Sequence, residues 1–297
     1  MPNTAPVPPA ARRPLARRRT YLRLRGLLIQ ILGWLRLRRF LKRAYCRILG
    51  PGGGILPVEY AGQTARFYVH SQANAQDLSQ VQDERSMLTP MMGALRPGDC
   101  AFDIGAEVGL YSLFLAPLVG HTGHIVAFEP SGEAFERLLD NVRLNRARNI
   151  RPLRLALSDR EGALNLYREG TGYAPTLRDP AAILQNHTVV EKVRVARGDA
   201  LRPELRLPLP RALKIDVEGA EFSVLQGLRE TLSHPECVLV CCEIHPRILP
   251  AGVTPETIVA WVRELGFSEL ELKPRDHATT HLIAHKPRQL ESMPVIA

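Results

Sequence analysis

The sequence predicts an α/β protein whose mostly parallel sheet is covered by helices on both faces. From Cys100 onward, short apolar segments alternate with segments whose apolar residues recur at helical spacing. Parallel strands need long, right-handed and usually helical connections, and this alternation supplies them. In such sheets ligands bind at the carboxyl ends of the strands, where the strand order reverses. Residues that follow the strands are therefore the first candidates for a functional site.

The main domain contains seven predicted strands and four predicted helices. The strands are predicted at Cys100–Ile104, His124–Phe128, Arg151–Ala156, Ala212–Ile215, Val238–Ile244, Glu269–Leu272 and His281–Ala284. The helices are predicted at Val108–Ala116, Gly132–Asn145, Ala220–Ser233 and Pro255–Leu265. The helix from Gly132 is the clearest, because its apolar side chains from Phe135 to Val142 share one face and Ser131 can cap it.

Three regions are expected along the chain. Residues 1–50 form a basic, partly disordered and partly helical extension, and residues 99–290 form the main domain. Residues 51–98 connect them through a short hairpin at Val58–Val69 and a helix at Ala75–Leu95.

The positive net charge of +9 is concentrated in the extension. Residues 1–50 hold 13 Arg and Lys and no acidic residue, which leaves 26 basic and 30 acidic residues in the rest, a net charge of −4. A mildly acidic body does not indicate a nucleic-acid partner. Residues 20–49 combine arginines with leucines, and three interpretations stay open: a helix on an anionic membrane surface, a helix packed on the domain, or a poorly ordered extension.

Cysteine usage and hydropathy predict a reducing, cytoplasmic location. The five cysteines form no CxxC pair and the chain has no HExxH motif, so neither a disulfide framework nor a metal site is expected. No apolar stretch reaches the roughly 20 residues that span a bilayer. The apolar run Gly26–Leu35 is followed by arginines where a secretory signal would have small residues. If the chain contacts a membrane surface, residues 20–49 are the segment expected to do so.

The first candidate site lies in the segment Phe102–Gly109. Gly105 can adopt a positive φ and lets a ligand approach the backbone, and the helix that follows offers free N–H groups to a carboxylate. A dinucleotide site would have its second glycine where this chain has Glu107, whose carboxylate would repel a pyrophosphate. A ligand without phosphates is therefore favoured.

Acidic and polar residues end the next two strands. Glu129 is placed to accept hydrogen bonds from both hydroxyls of a ribose. Ser158 and Asp159 follow the third strand, where they could reach an adenine edge or simply form a turn, and both interpretations stay open.

The segment Lys214–Glu221 places three carboxylates at the end of a buried strand. Charges there are costly unless they are solvated, paired or used in a site. Asp216 and Glu218 would point the same way, which favours site roles for both, whereas Glu221 could simply stabilise the start of the next helix. His245, at the end of a later strand, is a candidate general base, with a structural role as the alternative.

Three of these segments together resemble the FkbM family of methyltransferases. They are Asp103-Ile104-Gly105-Ala106-Glu107-Val108-Gly109, Phe128-Glu129-Pro130 and Lys214-Ile215-Asp216-Val217-Glu218-Gly219-Ala220-Glu221. The resemblance extends over residues 84–270, and the last segment is the most specific. At Glu107 the chain departs from the family, which usually has asparagine there.

The resemblance implies a Rossmann-like class I methyltransferase fold with a mostly parallel seven-stranded sheet and a reversed final strand. It implies S-adenosylmethionine as cofactor and the hydroxyl groups of saccharides, lipids or other natural products as acceptors. It places the cofactor on Gly105, Ala106 and Gly109 and the ribose on Glu129; Asp103, Ser158 and Asp159 complete the predicted cofactor site. The predicted catalytic residues are Asp216, Glu218 and His245, and no metal is required, although a carboxylate-bound cation stays open.

Other function classes are less well supported by the same residues. Asp216 is followed by Val-Glu-Gly and not by the Pro-Pro-aromatic segment with which amino-methylating enzymes stack a flipped base. A non-catalytic protein that binds the cofactor or docks on a membrane stays open because of Glu107, and a nicotinamide oxidoreductase is disfavoured by the missing middle glycine. The segment Gly170–Asn186 has loop character, and we hypothesise that it covers the acceptor.

Overall fold

The computed structural model describes residues 54–70, 74, 78–169, 187–275 and 278–287. The basic extension and the predicted acceptor loop Gly170–Asn186 lie outside these residues, and so do residues 75–77 of the predicted helix Ala75–Leu95. The chain forms two compact units. The first, residues 1–54 and 69–71, contains a described hydrogen bond from the Val69 amide to the Gly54 carbonyl. The second unit, residues 55–68 and 72–297, contains the elements reported below.

The strands of the described residues are β1 (Ile55–Tyr60), β2 (Gln63–Tyr68), β3 (Cys100–Ile104), β4 (His124–Phe128), β5 (Ile150–Leu153), β6 (Ala156–Ser158), β7 (Gly162–Glu169), β8 (His187–Arg197), β9 (Ala212–Ile215), β10 (Leu239–Ile244), β11 (Glu269–Pro274) and β12 (Thr280–His285). The α-helices are α1 (Arg85–Ala94), α2 (Leu110–Val119), α3 (Gly132–Leu144), α4 (Gly198–Glu204), α5 (Glu221–Gly227), α6 (Arg229–Ser233) and α7 (Pro255–Glu264). Short 3₁₀ helices occupy Val81–Glu84 and Pro246–Ile248.

The central sheet has seven strands in the order β11-β12-β10-β9-β3-β4-β5. Strands β5, β4, β3, β9 and β10 are mutually parallel, and β12 runs antiparallel to both of its neighbours. Every residue of β3, β9 and β10 is buried, as expected for parallel strands covered on both faces. This Rossmann-like arrangement confirms the predicted fold class and the reversed final strand.

Successive side chains of the strands enter two separate apolar cores, one on each face of the sheet. Ala101 packs in a core with Phe114 of α2 and Leu138 of α3. The next residue, Phe102, packs in the other core with Leu225 of α5. Because successive side chains of a strand point to opposite faces, the sheet is packed against helices on both sides. The strand order reverses between β3 and β9.

A second sheet, of order β6-β8-β7, is inserted between β5 and β9 and was missed by the sequence analysis. The predicted third strand Arg151–Ala156 is also wrong in extent, because β5 ends at Leu153 and the chain then joins this second sheet. The predicted helix Ala220–Ser233 is interrupted after Gly227. A Cβ atom at Gly227 would lie 1.9 Å from the Ser158 carbonyl oxygen, so the helix breaks where its backbone touches β6.

The predicted hairpin is formed by β1 and β2, which are joined by Ala61 and Gly62 at positive φ. Its second strand is tied to α3, because the Arg66 amide donates to Asn145 Oδ1 at 2.8 Å and the Tyr68 amide to Asn141 Oδ1 at 2.9 Å. The four described cysteines, Cys100, Cys237, Cys241 and Cys242, are buried and unbridged. No helix within the described ranges has both the length and the apolar character that crossing a bilayer requires.

Candidate active site

The turn after β3 brings two strand ends into direct backbone contact. Gly105 has a φ of 77°, and the amides of Gly105 and Ala106 both donate to the Phe128 carbonyl at 2.9 and 3.0 Å. A Cβ atom at Gly105 would lie 1.8 Å from the Asp216 carbonyl oxygen. Glycine is therefore required here, both for the positive φ and for the approach of β9.

Asp103 supports this turn from within β3. Its Oδ2 accepts hydrogen bonds from the Ser112 amide at 3.0 Å and the Ser112 hydroxyl at 2.6 Å, which ties the start of α2 to the strand. Its Oδ1 is buried and has no hydrogen bond among the described residues; the Lys214 ammonium lies 3.6 Å away. Gly109, at a φ of 87°, is the N-cap residue of α2.

Glu129 ends β4 as predicted and faces the same turn. Its carboxylate accepts from the Glu107 amide and from the Ser131 amide, both at 2.8 Å. Burial raises the pKa of Glu129 to about 7, although the two backbone hydrogen bonds oppose that shift. Each oxygen accepts one of these hydrogen bonds and can accept another, because a carboxylate has about four acceptor sites.

A cavity of about 640 Å³ opens at the carboxyl ends of β3, β4 and β9. Its lining includes five of the predicted site residues, namely Gly105, Ala106, Glu129, Asp216 and Glu218. Asp103, Gly109 and His245 are not among the lining residues, but each contacts or adjoins one that is.

Ser158 and Asp159 are not brought to the cavity. The Ser158 hydroxyl donates to the Asp159 carboxylate at 3.0 Å, and Arg160 pairs with that carboxylate at 3.2 Å. Because β5 ends earlier than predicted, the residues that line the cavity beyond it are Leu155, Ala156 and Leu157. The predicted polar contact to an adenine edge is therefore replaced at this place by an apolar wall.

The turn after β9 presents Asp216 and Glu218 to the cavity. The Asp216 carboxylate lies 3.4 Å from the Lys214 ammonium, which also donates to the Gly105 carbonyl at 2.7 Å. Glu218 has a φ of 51°, the left-handed conformation that costs a non-glycine residue about 1–2 kcal/mol. A strained residue that lines a cavity is a frequent mark of a functional position.

His245 lies behind these carboxylates, at the end of β10. Its Nε2 is 3.4 Å from Glu218 Oε2, and its Nδ1 is 2.6 Å from Oε1 of the fully buried Glu221. Burial lowers the pKa of His245, but the hydrogen bond to Glu221 and the charges of Glu221, Glu218 and Asp216 outweigh it and raise the pKa to about 9.

One donor atom each from Asp216, Glu218 and His245 lies within 4.8 Å of the other two. Such a group of side chains could hold a cation. The positive charges that face these carboxylates are, however, the chain's own, Lys214 at Asp216 and His245 at Glu218. These contacts do not decide whether a cation binds here, and the absence of a metal requirement stays a prediction.

Sequence reasoning missed a charged group at the rim of the cavity. Arg275 donates to the Glu84 carboxylate at 2.6 Å and to both oxygens of Glu243, and the Tyr111 hydroxyl donates to Glu84 at 2.8 Å. Glu84 and Arg275 are 191 positions apart, so no local pattern could pair them. The helical spacing of Tyr111 in α2 was visible, but it predicts burial and not this hydrogen bond.

Comparisons with known proteins identify the family of this chain. The model of the methyltransferase FkbM domain matches residues 103–269. The hexuronic acid methyltransferase AglP of Haloferax volcanii is 28% identical over 201 residues, which cover 66% of this chain and 77% of that protein. The 31-O-demethyl-FK506 methyltransferase FkbM of Streptomyces tacrolimicus is 29% identical over 201 residues, which cover 59% of this chain and 74% of that protein.

Among solved structures, a methyltransferase FkbM from Methylobacillus flagellatus is similar with a TM-score of 0.45 and 15% identity, over 72% of this chain and 55% of that chain. The family model covers more than half of this chain and includes the turn after β3, Glu129 and the turn after β9. The chain therefore belongs to the methyltransferase FkbM domain family and is an S-adenosylmethionine-dependent methyltransferase.

Proposed function

We propose that this chain binds S-adenosylmethionine in the cavity beyond β3 and β4 and methylates a hydroxyl oxygen of a saccharide, a lipid or another natural product. The observation that carries the proposal is the backbone contact between Gly105 and Asp216. It joins the turn expected to hold the cofactor to the turn that presents Asp216 and Glu218, within one cavity. Donor and acceptor can therefore meet without a large movement.

The residues present fit the cofactor. Asp103 keeps a buried carboxylate oxygen without a hydrogen bond, and Glu129 keeps free acceptor positions at the end of β4, where a ribose would bind. Leu155 and Leu157 offer an apolar wall to an adenine ring. Glu129 and Asp216 add negative charge to the lining, which suits a sulfonium cation and opposes a phosphate.

The residues at the end of β9 would act on the acceptor. When bound, the cofactor supplies an already activated methyl group, so the chain has to align the acceptor and remove a proton. Asp216 and Glu218 line the cavity at the end of β9, and His245 lies behind them. AglP is named for a hexuronic acid and the Streptomyces relative for an FK506 derivative, which supports an oxygen-bearing natural product as acceptor.

A titration followed by an acceptor screen tests the proposal. Calorimetry of the purified chain should show saturable heat with S-adenosylmethionine and with its demethylated product. Glu129→Gln should weaken this binding by roughly 10-fold or more, since a hydrogen bond to a charged group contributes about 1.5–3 kcal/mol. Glu264→Gln, on the exposed side of α7, is the matched control and should leave the affinity unchanged. A folded chain that shows no heat with either ligand would contradict the proposal.

Radiolabelled cofactor incubated with hydroxylated saccharides and lipids tests the class of acceptor. Transfer to a member of this panel supports a hydroxyl acceptor. Tight cofactor binding without transfer to any of them would contradict the proposed acceptor class.

A further inference from the structure

We propose that Glu221 is a positioning residue: it fixes His245 as an imidazolium against Glu218, which leaves Glu218 as the group that takes the proton of the acceptor. This inference rests on the proposed function, because the proton belongs to the acceptor hydroxyl of the same site. It assigns Glu221 a role beyond the start of a helix, and it replaces His245 as the candidate general base.

Glu221 holds two parts of the site at once. Its Oε1 accepts a hydrogen bond from the Gly219 amide at 2.9 Å, which fixes the turn that carries Glu218. The same oxygen lies 2.6 Å from Nδ1 of His245 on the neighbouring strand β10. Glu221 is fully buried, and its Oε2 has no hydrogen bond among the described residues. Burying a carboxylate is costly unless it is paired, and Oε1 of Glu221 finds its partners in the Gly219 amide and the His245 ring.

Both ring nitrogens of His245 face carboxylates. Nδ1 faces Glu221, and Nε2 faces Glu218 at 3.4 Å and Glu243 at 3.9 Å. When Glu218 and Glu221 are ionised they can only accept hydrogen bonds, so this arrangement is best satisfied by a proton on each ring nitrogen. An imidazolium has no free lone pair and cannot accept a further proton. His245 is therefore suited to balancing charge and not to acting as the base.

The charged groups around His245 come from three elements. They are Glu221 at the start of α5, Asp216 and Glu218 in the turn after β9, and Glu243 of β10, which is itself paired with Arg275 and lies 3.4 Å from His281. Burial raises the pKa of Glu218, the His245 charge lowers it, and the neighbouring acids raise it again, to about 7. That value lies near a working pH, where a general base is most effective.

Glu218 is also the member of this group that reaches solvent and substrate. Its side chain is 30% exposed and lines the cavity, whereas the His245 side chain is 9% exposed and Glu221 is buried. Asp216, another carboxylate of the lining, lies 3.4 Å from the ammonium of the buried Lys214. In the reaction, the acceptor O–H bond breaks and its proton passes to a Glu218 oxygen. The electron pair of the acceptor oxygen forms the bond to the methyl carbon as the carbon–sulfur bond breaks, and the proton then leaves Glu218 to solvent.

Nuclear magnetic resonance of the full chain with labelled histidine tests the charge state of His245 directly. The signal is assigned by its loss in His245→Asn. We expect His245 to stay protonated through pH 8, and its pKa to fall by about 1–3 units in Glu221→Gln, since an opposite charge within 4–6 Å has an effect of that size. Glu230→Gln, an exposed acid on α6, is the control and should leave the signal unchanged.

If Glu221→Gln does not fold, Glu218→Gln replaces it. The Glu218 side chain is partly exposed and tolerates the change, and the variant removes the carboxylate that faces Nε2 of His245. A His245 pKa at or below 6.5 in the wild type would overturn the proposal. So would a His245 pKa that is unchanged in the replacement variants. Neither outcome depends on cofactor binding, so failure of this inference is distinct from failure of the proposed function.

Methyl transfer to an acceptor found in the screen provides the second measurement. Glu218→Gln should lower kcat by about 100-fold or more with unchanged cofactor affinity, the usual contribution of a general base. In Glu221→Gln the acidic limb of the pH–rate profile should move to higher pH, with activity partly recovered there, because Glu218 loses its neighbouring cation. A uniform loss at all pH values would indicate a structural role only and would overturn the assignment of Glu221.

Discussion

Glu107 has a backbone conformation that suits asparagine better than glutamate. Its φ is 49°, in the left-handed region that asparagine enters more readily than other non-glycine residues. Its amide donates to Glu129, while its negative charge contributes to raising the pKa of Glu129, after the larger effect of burial. The departure from the family at this position therefore carries both a conformational and an electrostatic cost.

Replacing Glu107 by asparagine should strengthen both folding and cofactor binding. Glu107→Asn keeps the amide that bonds Glu129, relieves the left-handed strain, and should raise the free energy of unfolding by about 0.5–1 kcal/mol. Urea unfolding measures the stability, and calorimetry with S-adenosylmethionine measures the affinity. Glu107→Gln is the matched control, because it removes the charge but keeps an unfavourable side chain at this φ. If both variants gain equal stability, conformational strain is not the cause.

Gly105 should be among the least replaceable residues of the chain. Gly105→Ala would place a methyl group 1.8 Å from the Asp216 carbonyl oxygen, so two strand ends would have to separate. We expect a loss of more than about 3 kcal/mol in the free energy of unfolding, together with loss of cofactor binding. Gly62→Ala, in the hairpin turn at a φ of 78° with nothing within 4 Å of the new methyl group, isolates the conformational cost of about 1 kcal/mol. Equal losses in the two variants would refute the importance of the contact.

At the scale of elements, α3 links the hairpin to the turn after β3 through one side chain. Asn141 accepts from the Tyr68 amide of β2, and its Nδ2 donates to the Val108 carbonyl at 2.9 Å. Val108 lies two residues beyond Ala106, within the turn that precedes α2. The hairpin therefore supports the site although it contributes no residue to the cavity lining.

Asn141→Ala should weaken both the fold and the cofactor site. The variant leaves two backbone groups without their partner, at a cost of about 2–3 kcal/mol in the free energy of unfolding, and should also weaken cofactor binding. Asn145→Ala is the control: it removes hydrogen bonds to Arg66 but none to the turn, so it should cost about 1 kcal/mol and leave the affinity unchanged. Chemical denaturation and calorimetry of the two variants, side by side, check this. Unchanged cofactor affinity in Asn141→Ala would show that the turn after β3 keeps its conformation without this hydrogen bond.

The sequence predicted the elements whose signal is local, and missed those that depend on distant partners. Buried runs such as Cys100–Ile104 are apolar except for Asp103, so their strands are visible without a partner. The helix break at Gly227 could not be predicted, because it depends on the Ser158 carbonyl of another sheet. Strand β8 was missed although Val193 and Val195 alternate with exposed Lys192 and Arg194, a signal of period 2 that was present.

The same contrast holds for the candidate site, where residues with a local signal were predicted and residues that depend on distant partners were not. Gly105, Glu129 and Asp216 were found because the residues beyond a parallel strand all reach one edge of the sheet. The charge pairs Arg275–Glu84 and His245–Glu221 were not predicted. Each joins two elements whose relative position follows from packing and not from sequence spacing.

For the whole molecule, the buried charges predict that stability falls at alkaline pH. The pKa of His245 is raised to about 9 from 6.5, so its contribution is complete below pH 6.5 and is lost as the pH rises through 9. The raised pKa values of Glu129 and Glu218, about 7, mean that ionising these acids also costs stability above pH 4.5. Glu243 acts oppositely: burial raises its pKa, but His281 and Arg275 outweigh that and lower it to about 2, so its contribution is lost only as the pH falls from 4.5 through 2.

We therefore expect the free energy of unfolding to be greatest on the acid side of neutrality and to decrease by roughly 3 kcal/mol between pH 6 and pH 9 through His245 alone. Urea unfolding at one-unit intervals measures the profile, and His245→Gln should flatten its alkaline part. A wild-type profile that rises from pH 6 to pH 9 would contradict these charge assignments.

The contact between Gly105 and Asp216 also limits how such an enzyme can diversify. Where two main chains touch, a substitution can only force the strand ends apart, so this point offers no side chain whose exchange would adjust the spacing finely. A lineage that changes its target must therefore rebuild the periphery, such as the insertion formed by β6, β7 and β8, and leave the centre of the sheet untouched. Laboratory evolution toward new targets would, on the same grounds, gain more from libraries in that insertion than from libraries in the two turns.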